Sequence, residues 1–335
     1  MAHRLPLGES MRIIIGTTIL CGLLAAASAQ AQDQAAAAKA PTCKLQRVTS
    51  LDMTLTPDGI TVPVVINGTP KNFKLDLASS PTYIAQDAVD DLKLPVTDLK
   101  KPANYNGHPV KQTATVAKFQ IGIMAADNQP ISVLPAKTLK EGEAGTLGAA
   151  LLANMDFEMD FANHKFNLFS AEHCPGQVVY WTNGAAAQIP YEHDPAGHLV
   201  IAMTLDDKPI AAGISGNAAT LMTTGTLSQM FDLHTDAPGM TKISATEAGL
   251  EDSSEFPAYG YHFKTLSTAG VTIQNPQLVV YGLRQSATCN TRGKDPMEHC
   301  IGQPDIFLGA PTLSKFHLYF SSKEKLMYLT AADAH

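Results

Sequence analysis

The sequence predicts a mainly β chain made of two tandem copies of one barrel-like unit. Two matched pairs of segments predict it. The first pair is a hairpin and the loop that follows it. Residues 62–76 alternate as a strand, turn at Asn67-Gly68 and continue as a second strand. Residues 199–214 follow the same plan, with Asp206-Asp207 at the turn. Each hairpin runs into small residues, Asp76-Leu77-Ala78-Ser79-Ser80 in the first copy and Ile214-Ser215-Gly216-Asn217 in the second. The second pair closes each copy. Thr146-Leu147-Gly148 and Phe307-Leu308-Gly309 each end a strand, precede a short helix and lead into a final hairpin, at 157–169 and 316–329. These features recur in the same order, which chance similarity between short strands does not explain.

Length and composition agree with this plan. At roughly 150 residues per domain, 335 residues suggest two domains. With 45% hydrophobic and 16% charged residues the chain can bury a core and is not disordered overall. A net charge of −7 lacks the basic excess of a nucleic-acid binder, so no nucleic-acid partner is expected.

The N-terminus reads as an export signal. Met11-Arg12 opens an apolar run over 13–24, and Ala27-Ser28-Ala29 and Ala29-Gln30-Ala31 each fit the cleavage pattern. The run is short for a membrane span. Cys21 follows bulky Leu20, which disfavours a lipid anchor. Residues 1–31 are therefore expected to be a signal peptide and 32–42 a flexible leader. The remainder carries 22 Lys+Arg against 30 Asp+Glu and no later stretch able to span a bilayer. A periplasmic or secreted, monomeric protein is expected, with lobes at 43–183 and 184–335.

Four cysteines remain after cleavage: Cys43, Cys174, Cys289 and Cys300. An even count in an exported protein suggests disulfides. Cys43–Cys174 would tie the start of one repeat to its end, and Cys289–Cys300 would staple a polar loop; this is the preferred one of three pairings. Glu172-His173-Cys174 and Glu298-His299-Cys300 raise a metal site as the rival, but the Cys-x-x-Cys spacing common in zinc sites is absent. No metal and no cofactor are expected.

Residues 62–80 and 146–169, and again 199–220 and 307–330, resemble the bacterial retropepsin-like aspartic peptidases. The family's unit opens with a hairpin like V-P-V-x-I-N-G-x-P, runs into D-T-G-A/S-S, and ends with an apolar-apolar-Gly turn, a short helix and a hairpin. Two such units resemble the bilobal, pepsin-like form. The resemblance implies two barrel-like lobes with a cleft between them and aspartic-type endopeptidase chemistry. That chemistry needs two carboxylates about 3 Å apart sharing one proton.

The signature is incomplete in this sequence. Asp76 holds the first acid position, but Leu77 and Ala78 replace the Thr and Gly. In the second copy a gapless match puts Ile214 at the acid position, whereas alignment on Pro70 and Pro209 puts Ser215 there. Asp206 and Asp207 lie at the far end of the strand. A lone, partly solvated Asp76 should titrate near the ordinary carboxylate value of about 3.9. Two other constellations carry less. Gly213-Ile214-Ser215-Gly216-Asn217 misses the last Gly of a nucleophile elbow. Tyr191-Glu192-His193-Asp194 with His198 fits no common zinc spacing and reads as a solvated turn. The sequence thus points to an exported aspartic-peptidase homologue without catalysis that binds peptide or protein in the cleft. The alternatives are an atypical active endopeptidase using Asp76 and a purely structural envelope module.

Overall fold

The computed structural model describes residues 44–105, 108–244, 257–282 and 303–332. The expected signal peptide and leader lie outside them, as do Cys43, Cys289 and Cys300. Cys174 is the one cysteine among the described residues. Both expected pairings involve residues outside that set.

The two first hairpins set the geometry of each repeat. Asn67 and Gly68 both take positive φ, 50° and 86°, which a two-residue hairpin requires. Asp206 and Asp207 do the same at 47° and 64° without a glycine, because a short polar side chain tolerates the left-handed region. Each turn also locks onto a neighbouring strand. The Asn67 N–H donates to the Lys118 carbonyl at 2.9 Å, and the Lys118 N–H donates back to Asn67 Oδ1 at 2.8 Å. Asp206 makes the same pair of bonds with Thr265, both at 2.9 Å.

The strand order is duplicated. In the first repeat it runs Gly59–Ile66, Thr69–Asp76, Glu143–Gly148, Tyr83–Ala85, Met124–Leu134, His108–Ile121, and the last strand pairs back onto the first. In the second it runs Leu199–Leu205, Lys208–Ile214, Ile306–Leu308, Leu221–Thr223, Gln277–Tyr281, Ala258–His262, with Thr265–Thr268 pairing back onto Leu199–Leu205. Return pairing of this kind curls a sheet into a barrel-like unit and leaves fewer open edges.

The repeats meet in a continuous sheet. Met155–Asp160 pairs antiparallel with Phe316–Ser321, through Phe157↔Phe320, Glu158↔Tyr319, Met159↔Leu318 and Asp160↔His317. One face of this pair is apolar: Phe157 stacks on Phe320 at 4.4 Å between centroids, with Met159 and Leu318 beside them. The opposite face is polar and also buried. It carries Asp156, Glu158 and Asp160 in alternate positions, facing His317, Tyr319 and Ser321.

The connecting segment 171–181 covers that polar face and satisfies it. His173 Nε2 lies 2.7 Å from Asp156 Oδ2, while Ser322 donates to Asp156 Oδ1 through both N–H (2.8 Å) and hydroxyl (2.9 Å). The Tyr319 hydroxyl donates to Asp156 Oδ2 at 2.9 Å. Glu158 receives the Tyr180 hydroxyl at 2.7 Å, the Asn167 amide at 2.5 Å and His317 Nε2 at 2.8 Å. Trp181 stacks flat on His317 at 4.2 Å. Burial and the Asp156 charge push the Tyr319 hydroxyl far up. His173, the described histidine of the candidate metal strings, is thus spent on a buried carboxylate. No group able to hold a metal is found among the described residues.

Removing one member of a buried ion pair strands its partner, at a cost of about 3–5 kcal/mol. Asp156→Ala is therefore expected to lower the unfolding free energy by about that amount in denaturant titration. A loss under about 1 kcal/mol would show that this face contributes only as an exposed pair does.

Candidate active site

Asp76 ends the strand Thr69–Asp76 and lies beside Gly148 in a parallel pairing. The backbone there is too close for any side chain at 148: a Cβ would stand 2.1 Å from the Pro81 oxygen and 2.4 Å from the Ser80 oxygen. Gly309 meets the same restriction against the Ala219 oxygen at 2.1 Å. The bonds around the two glycines also correspond. Gly148 N–H donates to Thr82 Oγ1 and Gly309 N–H to Thr220 Oγ1, both at 3.1 Å. Ala149 N–H donates to the Ser79 oxygen and Ala310 N–H to the Asn217 oxygen, both at 2.8 Å.

This correspondence explains why two alignments of the second loop disagree. Leu75 pairs with Leu147 and Ile214 with Leu308, and each of those leucines directly precedes its glycine. On the strand side Ile214 therefore matches Leu75, and Ser215 matches Asp76. On the far side Asn217 matches Ser79. Three steps in the first loop become two in the second, so the second loop is one residue shorter. The proline alignment is correct before the deletion and the gapless one after it. Ile214 is fully buried in the apolar core, as Leu75 is.

Ser215 is fully buried as well, and its hydroxyl is committed to its own repeat. It donates to the Leu308 oxygen at 3.1 Å and accepts from the Asn217 N–H at 3.3 Å. Gly216 abuts the first repeat: a Cβ would lie 1.9 Å from the Leu75 oxygen, and its own oxygen accepts the Ile60 N–H at 3.0 Å. Asn217 forms an isolated bridge with Gly59. In the first loop, Leu77 points into the apolar core, and the Ser79 N–H closes a turn on the Asp76 oxygen at 3.1 Å. Ala78 and Ser80 are half-buried.

Asp76 is not partly solvated as the sequence suggested; only 5% of it is exposed. Burial is the largest influence and raises its carboxyl above the ordinary value. The Lys74 charge, the Tyr105 hydroxyl, the His198 charge and the Ala78 N–H oppose that rise. Tyr105 donates to Asp76 Oδ2 at 3.1 Å. It ends Val96–Tyr105, one arm of the hairpin 96–121, and its ring packs on Tyr83 at 4.9 Å, with Val110 and Leu134 in the same cluster. That hairpin therefore covers the carboxyl. No motif in the sequence marked Tyr105, because the contact joins positions 29 residues apart through the barrel.

His198 and Asp194 do form the turn that the sequence suggested. Asp194 Oδ1 accepts the Ala196 and His198 N–H groups, each at 2.9 Å, and Oδ2 lies 2.5 Å from His198 Nδ1. The turn is not solvated at His198, which is buried. The site thus offers one buried carboxyl, a tyrosine hydroxyl on it and a histidine within electrostatic reach. Among the described residues no second carboxylate acts on Asp76.

Residues 62–151 match the family model described as "Aspartyl protease". Among solved structures, the chain is similar to the aspartic proteinase from Irpex lacteus, with a TM-score of 0.51 and 14% identity over 85% of this chain and 97% of that one. No curated protein matches the chain. The first repeat thus resembles the aspartyl protease family, and the fold over most of the length is that of an aspartic proteinase.

Proposed function

We propose that this is an exported aspartic-peptidase homologue that has lost peptide cleavage and binds an extended peptide or protein segment in a cleft between lobes 43–183 and 184–335. The observation that carries it is Ser215 at the second acid's place, fully buried and with its hydroxyl turned to Leu308. A serine there supplies neither a shared proton nor a second charge, so no water is activated between two carboxyls. Export to the periplasm or the medium rests on the signal-like N-terminus, and the pairings Cys43–Cys174 and Cys289–Cys300 belong to the same proposal. No helix among the described residues is long and apolar enough to cross a membrane. One observation favours a structural module instead: Tyr105 closes over Asp76. Peptide binding separates the two readings, because a module with a closed cleft takes up no peptide.

Purified protein is expected to give background rates on casein and peptide libraries between about pH 3 and 6, the range over which carboxyls titrate. Pepstatin-sensitive cleavage that vanishes in Asp76→Asn would overturn the loss of catalysis.

The raised carboxyl also fixes a stability trend. Folded Asp76 keeps its proton at pH values where the unfolded chain has lost it, so stability falls as pH rises through the folded value. Asp76→Asn cannot ionise, and its amide oxygen still accepts from Tyr105. The variant is expected to match wild type near pH 3 and to exceed it increasingly toward pH 7, by about 1.4 kcal/mol per unit of upward shift. Thermal melts across that range check the sign. A variant less stable at pH 7 than at pH 3, relative to wild type, would contradict it.

A further inference from the structure

The two barrels are filled differently. In the first, Phe73 and Phe119 are buried and meet edge-on at 6.0 Å between ring centroids. The matching turn residues Asn67 and Asp206 lock onto Lys118 and Thr265 by the same pair of bonds. Counted from the turns, Ala212 stands where Phe73 does. Counted from the locked residues, Leu266 stands where Phe119 does. The second barrel therefore lacks both rings. A packed interior relaxes only in part around missing volume.

A cavity lies beside Leu266. Ile201, Met203 and Ile273 line it too, and it reaches Ile214 and Leu308. All six are buried. Thr268, Val271 and Phe316 also line it but are only half-buried, so its mouth is at these three. The free volume is about 20 Å³, and roughly 10–15 Å³ holds one water. A water, however, needs about two to four polar partners. The lining side chains other than Thr268 and Thr312 are apolar, and these two hydroxyls are committed elsewhere. Thr268 Oγ1 donates to the Ala202 oxygen at 3.0 Å, and Thr312 Oγ1 is bonded to Thr220 Oγ1 at 2.7 Å. A water finds no free side-chain partner there, whereas an apolar guest gains carbon contacts and leaves water behind.

We propose that this cavity is a binding site for a small, uncharged, apolar molecule, entered past Thr268, Val271 and Phe316. Its volume selects guests about the size of a halomethane or a short alkane. The guest packs against Ile214 and Leu308. Ile214 directly precedes Ser215, and the Leu308 oxygen accepts the Ser215 hydroxyl at 3.1 Å. The site therefore lies behind the second loop, on the core side of the strands that carry it. It depends on neither peptide binding nor catalysis.

The test dissolves xenon at rising pressure in the full-length wild-type protein and follows methyl groups by carbon–proton NMR. Methyls of Ile201, Ile214, Leu266, Ile273 and Leu308 are expected to shift together and to saturate, and the Ser215 amide to move with them. Methyls of Val62 and Leu75 in the first barrel are expected to stay in place. Leu266→Phe restores a ring that the first barrel has and is expected to weaken xenon binding tenfold or more. Shifts spread evenly over both barrels, or growing without saturation, would overturn the site. Unchanged xenon affinity in a folded Leu266→Phe protein would overturn it as well. The wild-type map decides alone if that variant does not fold.

Discussion

Met155–Asp160 pairs with Phe316–Ser321 along the line where the two repeats meet, and the rest of the molecule is hung from that pairing. Its apolar face joins the main core, while its other face buries a row of carboxylates. Buried carboxylates cost several kcal/mol each unless hydrogen bonds replace the lost water. The replacement comes from both repeats and from the segment between them: Tyr319, His317 and Ser322 on one side, His173, Tyr180 and Asn167 on the other. The polar face therefore fixes where one repeat lies against the other, and so where the Asp76 loop faces the Ser215 loop.

Close backbone approach then sets what those loops can do. Gly148 and Gly309 let each loop lie directly on its strand, and Gly216 lets the second loop press on Leu75 of the first. The one-residue deletion draws Ser215 down onto Leu308 and leaves its hydroxyl facing its own repeat. Across from it, burial holds the Asp76 carboxyl toward its neutral form, and Tyr105 covers it. The second loop thus differs from the first in length as well as in carrying Ser215 where the first carries Asp76.

Much of the fold was legible in the sequence because hairpins and apolar-apolar-Gly strings are local signals. Asn67-Gly68 and Asp206-Asp207 state their turn chemistry in two residues. The identity of the residue opposite Asp76 was legible only as two alternatives, since a deletion inside a loop of small residues leaves no mark in composition. Register across the parallel pairs at Leu147 and Leu308 distinguishes them. Tyr105 and the burial of Asp76 were not legible, because they depend on a hairpin folding back over a strand 29 residues earlier. His198 was noticed for its neighbours Glu192, His193 and Asp194, yet read as solvated. Its burial follows from Phe307 and the first loop, which are distant in sequence.

The register itself is open to direct measurement by restoring an acid at each of the two candidate positions and following the carboxyl carbons by NMR titration. Ser215→Asp is predicted to fold and to make Asp76 titrate in two coupled steps, as neighbouring carboxyls do. Ile214→Asp is predicted to put a charge into the apolar core and to unfold at neutral pH. A folded Ile214→Asp protein whose new carboxyl couples to Asp76, with Ser215→Asp leaving Asp76 unchanged, would contradict the account.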